Sequence, residues 1–347
     1  MKYCRCWLVI TITVMLLPLF VVGGFNYYID PLWNFAHAHK YNRIQIAFDE
    51  RQQKTNRLHF SPADYDTLIL GSSRTTYMDH SELVGYQAYN YALSIMLLEE
   101  YYDYVEYAKQ QVGHDFDYII IGLDFFVTNQ NLQLQNEFQP PSHYIGITEG
   151  FGYRYKTLLS LDVLEWARKN YDASKRGVPV TFDYDREGRK TLNRVSPEET
   201  QRLMAGNLAN YGQNIFANYQ YRDVRGILSR LKSANPNTRF IVFTTPTARP
   251  LWNLMVAQGL LPYYERWLGD GVAVFGEVYN FDYPNSVTND PSYFYDASHV
   301  YPEAETMLAH RIIAYPDKGI PDDFGVVLKE DNLSSHLKMV RNLAHTR

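Results

Sequence analysis

Thr67-Leu68-Ile69-Leu70-Gly71-Ser72-Ser73-Arg74 carries an apolar segment straight into a glycine and two serines. Such a run reads as a buried strand ending in a sharp turn, and the glycine lets the chain reverse there. The reading puts the Ser73 hydroxyl at the carboxyl edge of a sheet. A helix is expected to start directly after it, offering free N–H groups to a developing oxyanion. Far downstream, Phe294-Tyr295-Asp296-Ala297-Ser298-His299 holds an aspartate three residues before a histidine. Spaced this way, the carboxylate can bind one ring nitrogen while the other faces a serine. Together the two segments contain the hydroxyl, imidazole and carboxylate of a serine-nucleophile site, with Ser73, Asp296 and His299 as the catalytic candidates.

Working outward, four runs read as buried strands: Thr67–Leu70, Tyr86–Ala92, Tyr118–Phe126 and Arg239–Thr245, with Val272–Phe275 a weaker fifth. Helical spacing appears at Leu97, Leu98, Tyr101, Val105 and Ala108, and again at Val224, Ile227, Leu228 and Leu231 before Asn235-Pro236. Another helix is expected from Pro302, where the missing N–H costs nothing. Strands alternating with helices predict a parallel sheet covered on both faces. The interval 127–219 breaks the rhythm. It opens Gln/Asn-rich, has a helical stretch near Lys156–Lys169, and carries a capping box at Ser196-Pro197-Glu198-Glu199. It reads as a helical insertion over the mouth of the sheet, where open α/β sheets bind ligands. The division expected is an anchor at 1–25, a membrane-proximal segment at 26–63, an α/β domain at 64–320 and a polar tail at 321–347, with a short helix around His336–Leu343.

The anchor rests on an uncharged apolar run from Trp7 to Val22, extended by Gly23, Gly24 and Phe25 and interrupted only by Pro18. Its length is near the minimum for crossing a bilayer. Lys2 and Arg5 precede it and the next basic residue is Lys40, which predicts a cytoplasmic N-terminus and an extracytoplasmic body in a single-pass inner-membrane protein. The rival is a cleaved signal peptide, with Val22 and Gly24 as weak small-residue positions. An uncleaved anchor is favoured, because no Ala-x-Ala site appears. Both cysteines, Cys4 and Cys6, lie at this end, so no disulfide forms within the body. A net charge of −5 gives no sign of a nucleic-acid partner.

Each motif has a plainer reading. Gly-Ser-Ser after a strand is an ordinary βα turn, and Asp-x-x-His is a surface loop or half of a metal site. No other cluster supplies zinc spacing to complete such a site, so neither metal nor cofactor is expected. Asp183-Tyr184-Asp185-Arg186-Glu187-Gly188 lacks the terminal ligand of a calcium loop and reads as a solvated loop. The 30 tyrosines suit a glycan surface, but more simply pack in the core and around its rim.

Gly71-Ser72-Ser73 and Asp296-Ala297-Ser298-His299 followed by a Pro302 helix resemble the end motifs of the SGNH (GDSL-like) hydrolase superfamily, with Ser72 where that family has Asp. The resemblance covers roughly Asp64 to Ile313 in element order. It implies a flavodoxin-like three-layer sandwich around a central parallel sheet. It also implies oxyanion donors from the Ser73 N–H, from the block after the second strand and from an Asn after the third. In this chain Asn90-Tyr91-Ala92-Leu93-Ser94 leads to Ile95 where the family has glycine, and Asp124 stands in the place of the Asn. A carboxylate there cannot donate, and losing one donor costs on the order of a hundredfold or more in rate. Gly-Ser-Ser-Arg behind a single anchor is similar to a narrower branch that includes the lipoteichoic-acid D-alanylation and alginate O-acetylation proteins. That similarity implies an esterase or O-acyltransferase acting on acyl groups of a cell-surface glycan, beside a membrane-bound O-acyltransferase. Arg74 and Asn90 become substrate-binding candidates, Arg74 for a phosphate or acidic sugar; the plainer reading of Arg74 is a structural ion pair. The alternative function is a binding or assembly protein with a weakened site.

Overall fold

The computed structural model describes residues 2–132, 138–177, 182–317 and 319–345; the Gln/Asn-rich opening of the insertion at 133–137 lies outside them. Its strands are β1 (Gln45–Ile46), β2 (Thr67–Leu70), β3 (Ala88–Asn90), β4 (Tyr118–Leu123), β5 (Phe182–Tyr184), β6 (Lys190–Leu192), β7 (Arg239–Thr244), β8 (Glu277–Asn280) and β9 (Val326–Lys329). The chain forms two compact units, one of residues 1–63 with 142–191 and the other of residues 64–141 with 192–347. The expected insertion is therefore divided: its middle belongs with the N-terminal segment and its two ends with the large sheet.

In the larger unit the sheet order is β3-β2-β4-β7-β8-β9. The first five strands run parallel, and Ile69, Ile120 and Ile241 lie side by side across β2, β4 and β7. Side chains alternate between faces along a strand. Ile69, Ile120, Ile241 and Phe243 pack in one core with Ala304, Leu308 and Ile312 of the Pro302–Ile312 helix. On the opposite face, Gly271 of the Leu261–Phe275 helix comes close to Leu123 and Val278. The unit is thus a mixed α/β sheet with helices on both faces.

Three expectations change. The sheet is not wholly parallel, because β9 pairs antiparallel with β8 through Val278 and Leu328. The segment after 320 is therefore no tail: it supplies that edge strand and a helix, Glu330–His345. Val272–Phe275 is the last turn of a helix, which Gly276 ends in a left-handed conformation (φ 87°), and the strand follows at Glu277. A short apolar run buries equally well on a helix or a strand, and here the helix that begins at Leu261 carries it to the Gly276 cap.

The smaller unit begins with the Lys2–Ile29 helix, whose stretch Cys6–Ile29 is 24 residues long and contains an 18-residue window of mean hydropathy 2.5, long and apolar enough to cross a membrane. A second sheet, order β1-β5-β6, follows within this unit. The segment Asp183–Gly188, expected as a solvated loop, forms part of its hairpin. Arg186 there is buried and donates 2.7 Å to Asp30 Oδ2. The Glu50–Phe60 helix is polar around its whole circumference yet buried from Glu50 to Asn56. Side-chain amides satisfy it: Gln52 donates to Thr148 Oγ1 at 2.7 Å, Gln53 to Pro31 O at 2.8 Å and Asn56 to Leu32 O at 3.0 Å.

The turn after β2 depends on two glycines. Gly71 (φ 155°) and Gly122 flank the Thr75 side chain so closely that an added Cβ would lie 2.3 Å and 2.1 Å from its Oγ1. We expect Gly122→Ala to lower stability by about 1–3 kcal/mol, the usual cost of overpacking. Adding Thr75→Ala should restore part of that loss, because it removes the clashing hydroxyl. It should not rescue Gly71→Ala, whose new Cβ still meets the residue 75 Cβ at 2.6 Å. Urea denaturation of the single and double variants measures both effects; additive losses at Gly122 and Thr75 would refute the wedge.

Candidate active site

Ser73 is half-buried just beyond the carboxyl end of β2, after the fully buried Ser72. The expected α-helix does not follow. Thr75–Tyr77 forms a single 3₁₀ turn, with the Thr75 and Thr76 N–H groups both donating to Ser72 O, at 3.0 and 3.3 Å. Asn90 braces the end of the turn. Its Nδ2 donates to Thr75 O and Met78 O, both at 3.0 Å, and Thr75 O also accepts from the Met78 N–H at 3.1 Å. The Thr76 hydroxyl bonds back to Ser73 O at 2.5 Å. Among the described residues the Ser73 N–H meets no backbone acceptor.

Asp296 and His299 meet through local geometry. Asp296 Oδ1 accepts from the N–H groups of Ser298 (2.7 Å) and His299 (2.9 Å), an Asx turn that folds the carboxylate over its own loop. The chain doubles back: the Tyr295 N–H donates to His299 O at 2.9 Å, and Phe294 bridges Val300. The Ala248 N–H, beyond β7, donates to Ala297 O at 3.0 Å and ties the loop to the sheet. Pro302 then opens the helix behind it. His299 Nδ1 donates to Asp296 Oδ2 at 2.9 Å, and Nε2 accepts from Ser73 Oγ at 3.0 Å. Residues 226 positions apart thus form one hydrogen-bonded row. The Tyr77 ring stands edge-on to the imidazole, with centroids 5.9 Å apart.

Electrostatics hold the row in this state. Burial alone would raise the Asp296 carboxyl, but the His299 ring and two backbone N–H groups outweigh it and bring the pKa down to about 2. Glu305, on the helix that follows, shows the opposite. Burial, reinforced by the Asp124 charge, pushes it up to about 8.

The two substrate-binding candidates, Arg74 and Asn90, are both engaged by neighbouring groups of the chain. Arg74 is buried and turned away from solvent. It donates to Tyr211 OH at 2.6 Å and Thr245 Oγ1 at 3.1 Å, pairs with Asp124 Oδ1 at 3.4 Å, and stacks on the Phe126 and Tyr211 rings. Burial penalises its charge, yet Tyr211, Asp124 and Asp282 raise its pKa above the ordinary guanidinium value. This is a structural cation, the plainer of the two readings. Asn90 is likewise consumed by the turn, its Oδ1 accepting from the Ala92 N–H at 3.0 Å. Of the oxyanion candidates, Asp124 is buried with Oδ1 on Thr245 and Arg74, and its Oδ2 has no partner among the described residues. Ile95 holds φ 50°, a left-handed conformation that glycine adopts without strain and a β-branched residue does not. Tyr211, Thr245, Asp282 and Glu305 were not singled out from sequence. Only Thr245, at the end of a readable strand, carried a positional signal.

A cavity of about 20 Å³ adjoins this network, lined by Arg74 and Asp282 together with Phe126, Tyr211, Leu251 and Trp252. It is large enough for a water molecule. Burial pushes Asp282 up to about 6, with Arg74 opposing the shift. Among the described residues no group of three or more His, Cys, Asp or Glu side chains is arranged to hold a metal. Compared with models of known protein families the chain matches none, and no curated protein matches it.

Asp296 and Glu305, shifted in opposite directions, predict a stability profile with losses on both sides. Asp296, depressed in the fold, stabilises above its unfolded value near 4 and loses that contribution as pH falls through about 2. Glu305, raised in the fold, keeps a proton that the unfolded chain releases above about 4.5, so stability declines as pH rises towards about 8 and levels off beyond. Glu305→Gln should flatten that decline and exceed the parent in stability at pH 9. Denaturant titrations of the detergent-solubilised chain from pH 5 to 9 measure it; an unchanged slope would show that Glu305 does not hold the proton.

Proposed function

We propose that this protein is a serine esterase or O-acyltransferase of the SGNH type, membrane-anchored with its larger unit outside the cytoplasm, acting on acyl groups of a cell-surface glycan. The observation that carries this reading is the continuous row Ser73 Oγ to His299 Nε2 and His299 Nδ1 to Asp296 Oδ2, at 3.0 and 2.9 Å. In the proposed reaction Ser73 Oγ attacks the ester carbon as its proton passes to His299 Nε2. The tetrahedral oxyanion is met by the Ser73 N–H, with the Ile95 backbone as the second donor that the family resemblance assigns. Collapse breaks the ester C–O bond, and His299 returns the proton to the departing alcohol oxygen. A second hydroxyl, from water or from a sugar, then gives its proton to His299 and attacks the acyl-serine, and Ser73 leaves with the proton restored. Asp296 orients the ring and balances the imidazolium throughout. The proposed partners are the acyl-ester substrate and a membrane-bound O-acyltransferase as acyl source.

One observation favours a second reading, a binding or assembly protein with a weakened site: Asp124 is committed to Arg74 and Thr245 and offers an acceptor where the resemblance calls for a donor. A fluorophosphonate probe separates the two, since only an activated serine attacks it. The esterase reading expects labelling of the parent chain, none in Ser73→Ala, and turnover of an acetyl ester reduced at least 10³-fold in that variant. Asp296→Asn should keep the fold but lose about 10²–10⁴-fold in kcat, because the ring is no longer held in its tautomer. An unlabelled parent, or a Ser73→Ala chain with full turnover, would overturn the reading.

A further inference from the structure

Outside the apolar helix, eight large hydrophobic side chains are exposed among the described residues, and four of them fall between positions 151 and 161. Phe151 is 95% exposed, Tyr155 62%, Leu159 53% and Leu161 70%. Scattered apolar residues on a surface need no explanation, but a local cluster does. The cluster spans the Tyr153–Lys156 turn of helix, the 3₁₀ turn Thr157–Leu159 and the first residue of the Leu161–Arg176 helix.

This segment is fastened to the end of the apolar helix. Asn26 Nδ2 donates to Leu158 O at 2.8 Å and to Ser160 O at 3.0 Å, and Leu159 Cδ2 lies 3.4 Å from the position a Cβ on Gly23 would take. A bilayer core about 30 Å thick takes up about 20 residues of helix. Counted from Trp7, the span ends near Asn26, so Gly23 sits roughly 4.5 Å inside its boundary at 1.5 Å per residue. Leu159 is pinned at that depth. Around the same end, Tyr27 packs edge-on against Phe35, centroids 4.8 Å apart, and the Arg154 guanidinium lies over the Phe35 ring at 4.4 Å. Aromatic and basic side chains are the usual occupants of the headgroup layer.

We propose that residues 151–161 form a second membrane contact, dipping into the boundary between acyl chains and headgroups of the bilayer that the N-terminal helix crosses. The inference rests on that helix being a membrane span and is independent of the ester chemistry. The ligand is lipid rather than protein because Leu159, within the cluster, adjoins the apolar helix at Gly23, inside the hydrocarbon boundary that the helix crosses.

The test uses the full chain with Cys4→Ser and Cys6→Ser, reconstituted in vesicles of phosphatidylcholine and phosphatidylglycerol. Spin labels are placed singly through Val14→Cys, Phe151→Cys, Leu159→Cys, Leu161→Cys and, as an exposed control in the same unit, Lys169→Cys. The expected result is high oxygen and low nickel-chelate collision at 14, 151, 159 and 161, with the reverse at 169. Labels at 151, 159 and 161 as open to nickel as 169, with 14 shielded, would overturn the proposal while leaving the span intact. Nickel access at 14 would overturn the span and the proposal together. Shielding at 151 to 161 with dipolar broadening that disappears on dilution with unlabelled chain would assign the cluster to a second copy and overturn the lipid assignment.

Discussion

A buried guanidinium governs the large unit. Arg74 lies one residue after the proposed nucleophile, buried from bulk solvent, and a charge there is tolerable only if partners surround it. Those partners come from the carboxyl ends of separate strands: Asp124 after β4, Thr245 after β7 and Asp282 after β8, with Tyr211 from the divided insertion. Each strand end is thereby held in register with the turn that presents Ser73. The cost of leaving such a cation unpaired, about 3–5 kcal/mol, exceeds most single packing terms. That turn is rigid because an ion must be neutralised behind it, and the Thr75 wedge between two glycines fixes its other side.

This arrangement separates two roles that the sequence runs together. Residues 73 and 74 are neighbours, but one faces the imidazole and the other faces inward. The Asp296 loop has the same economy. A single carboxylate closes the turn with one oxygen and orients His299 with the other. Geometry that would otherwise need several side chains comes from four consecutive residues, and Ala248 fixes the whole loop to the sheet.

Legibility followed locality and apolar pattern. The strand-to-serine turn and the Asp-x-x-His segment were readable because the chemistry of each lies within a few residues. The strands β2, β4 and β7 were readable because both of their faces are buried and apolar. The Glu50–Phe60 helix was not, because it is buried through amide and hydroxyl bonds and has no hydrophobic period to detect. Strand β9 escaped because four residues after a polar stretch carry little signal, and its antiparallel pairing depends wholly on β8. Arg74 was legible as important but not as buried: its partners Tyr211 and Thr245 lie 137 and 171 positions away, beyond any local pattern.

The distance along the chain between Ser73 and His299 also has a meaning in time. A ribosome adds about 5–20 residues each second, so the 226 positions between them represent roughly 10–45 s of synthesis. During that interval Ser73 has no imidazole to bond, and the partners that fix its turn, at 124, 211, 245 and 282, are themselves still being added. The row closes only after His299 has been made, so a product terminated before it carries the apolar helix and the serine but none of the proposed reactivity.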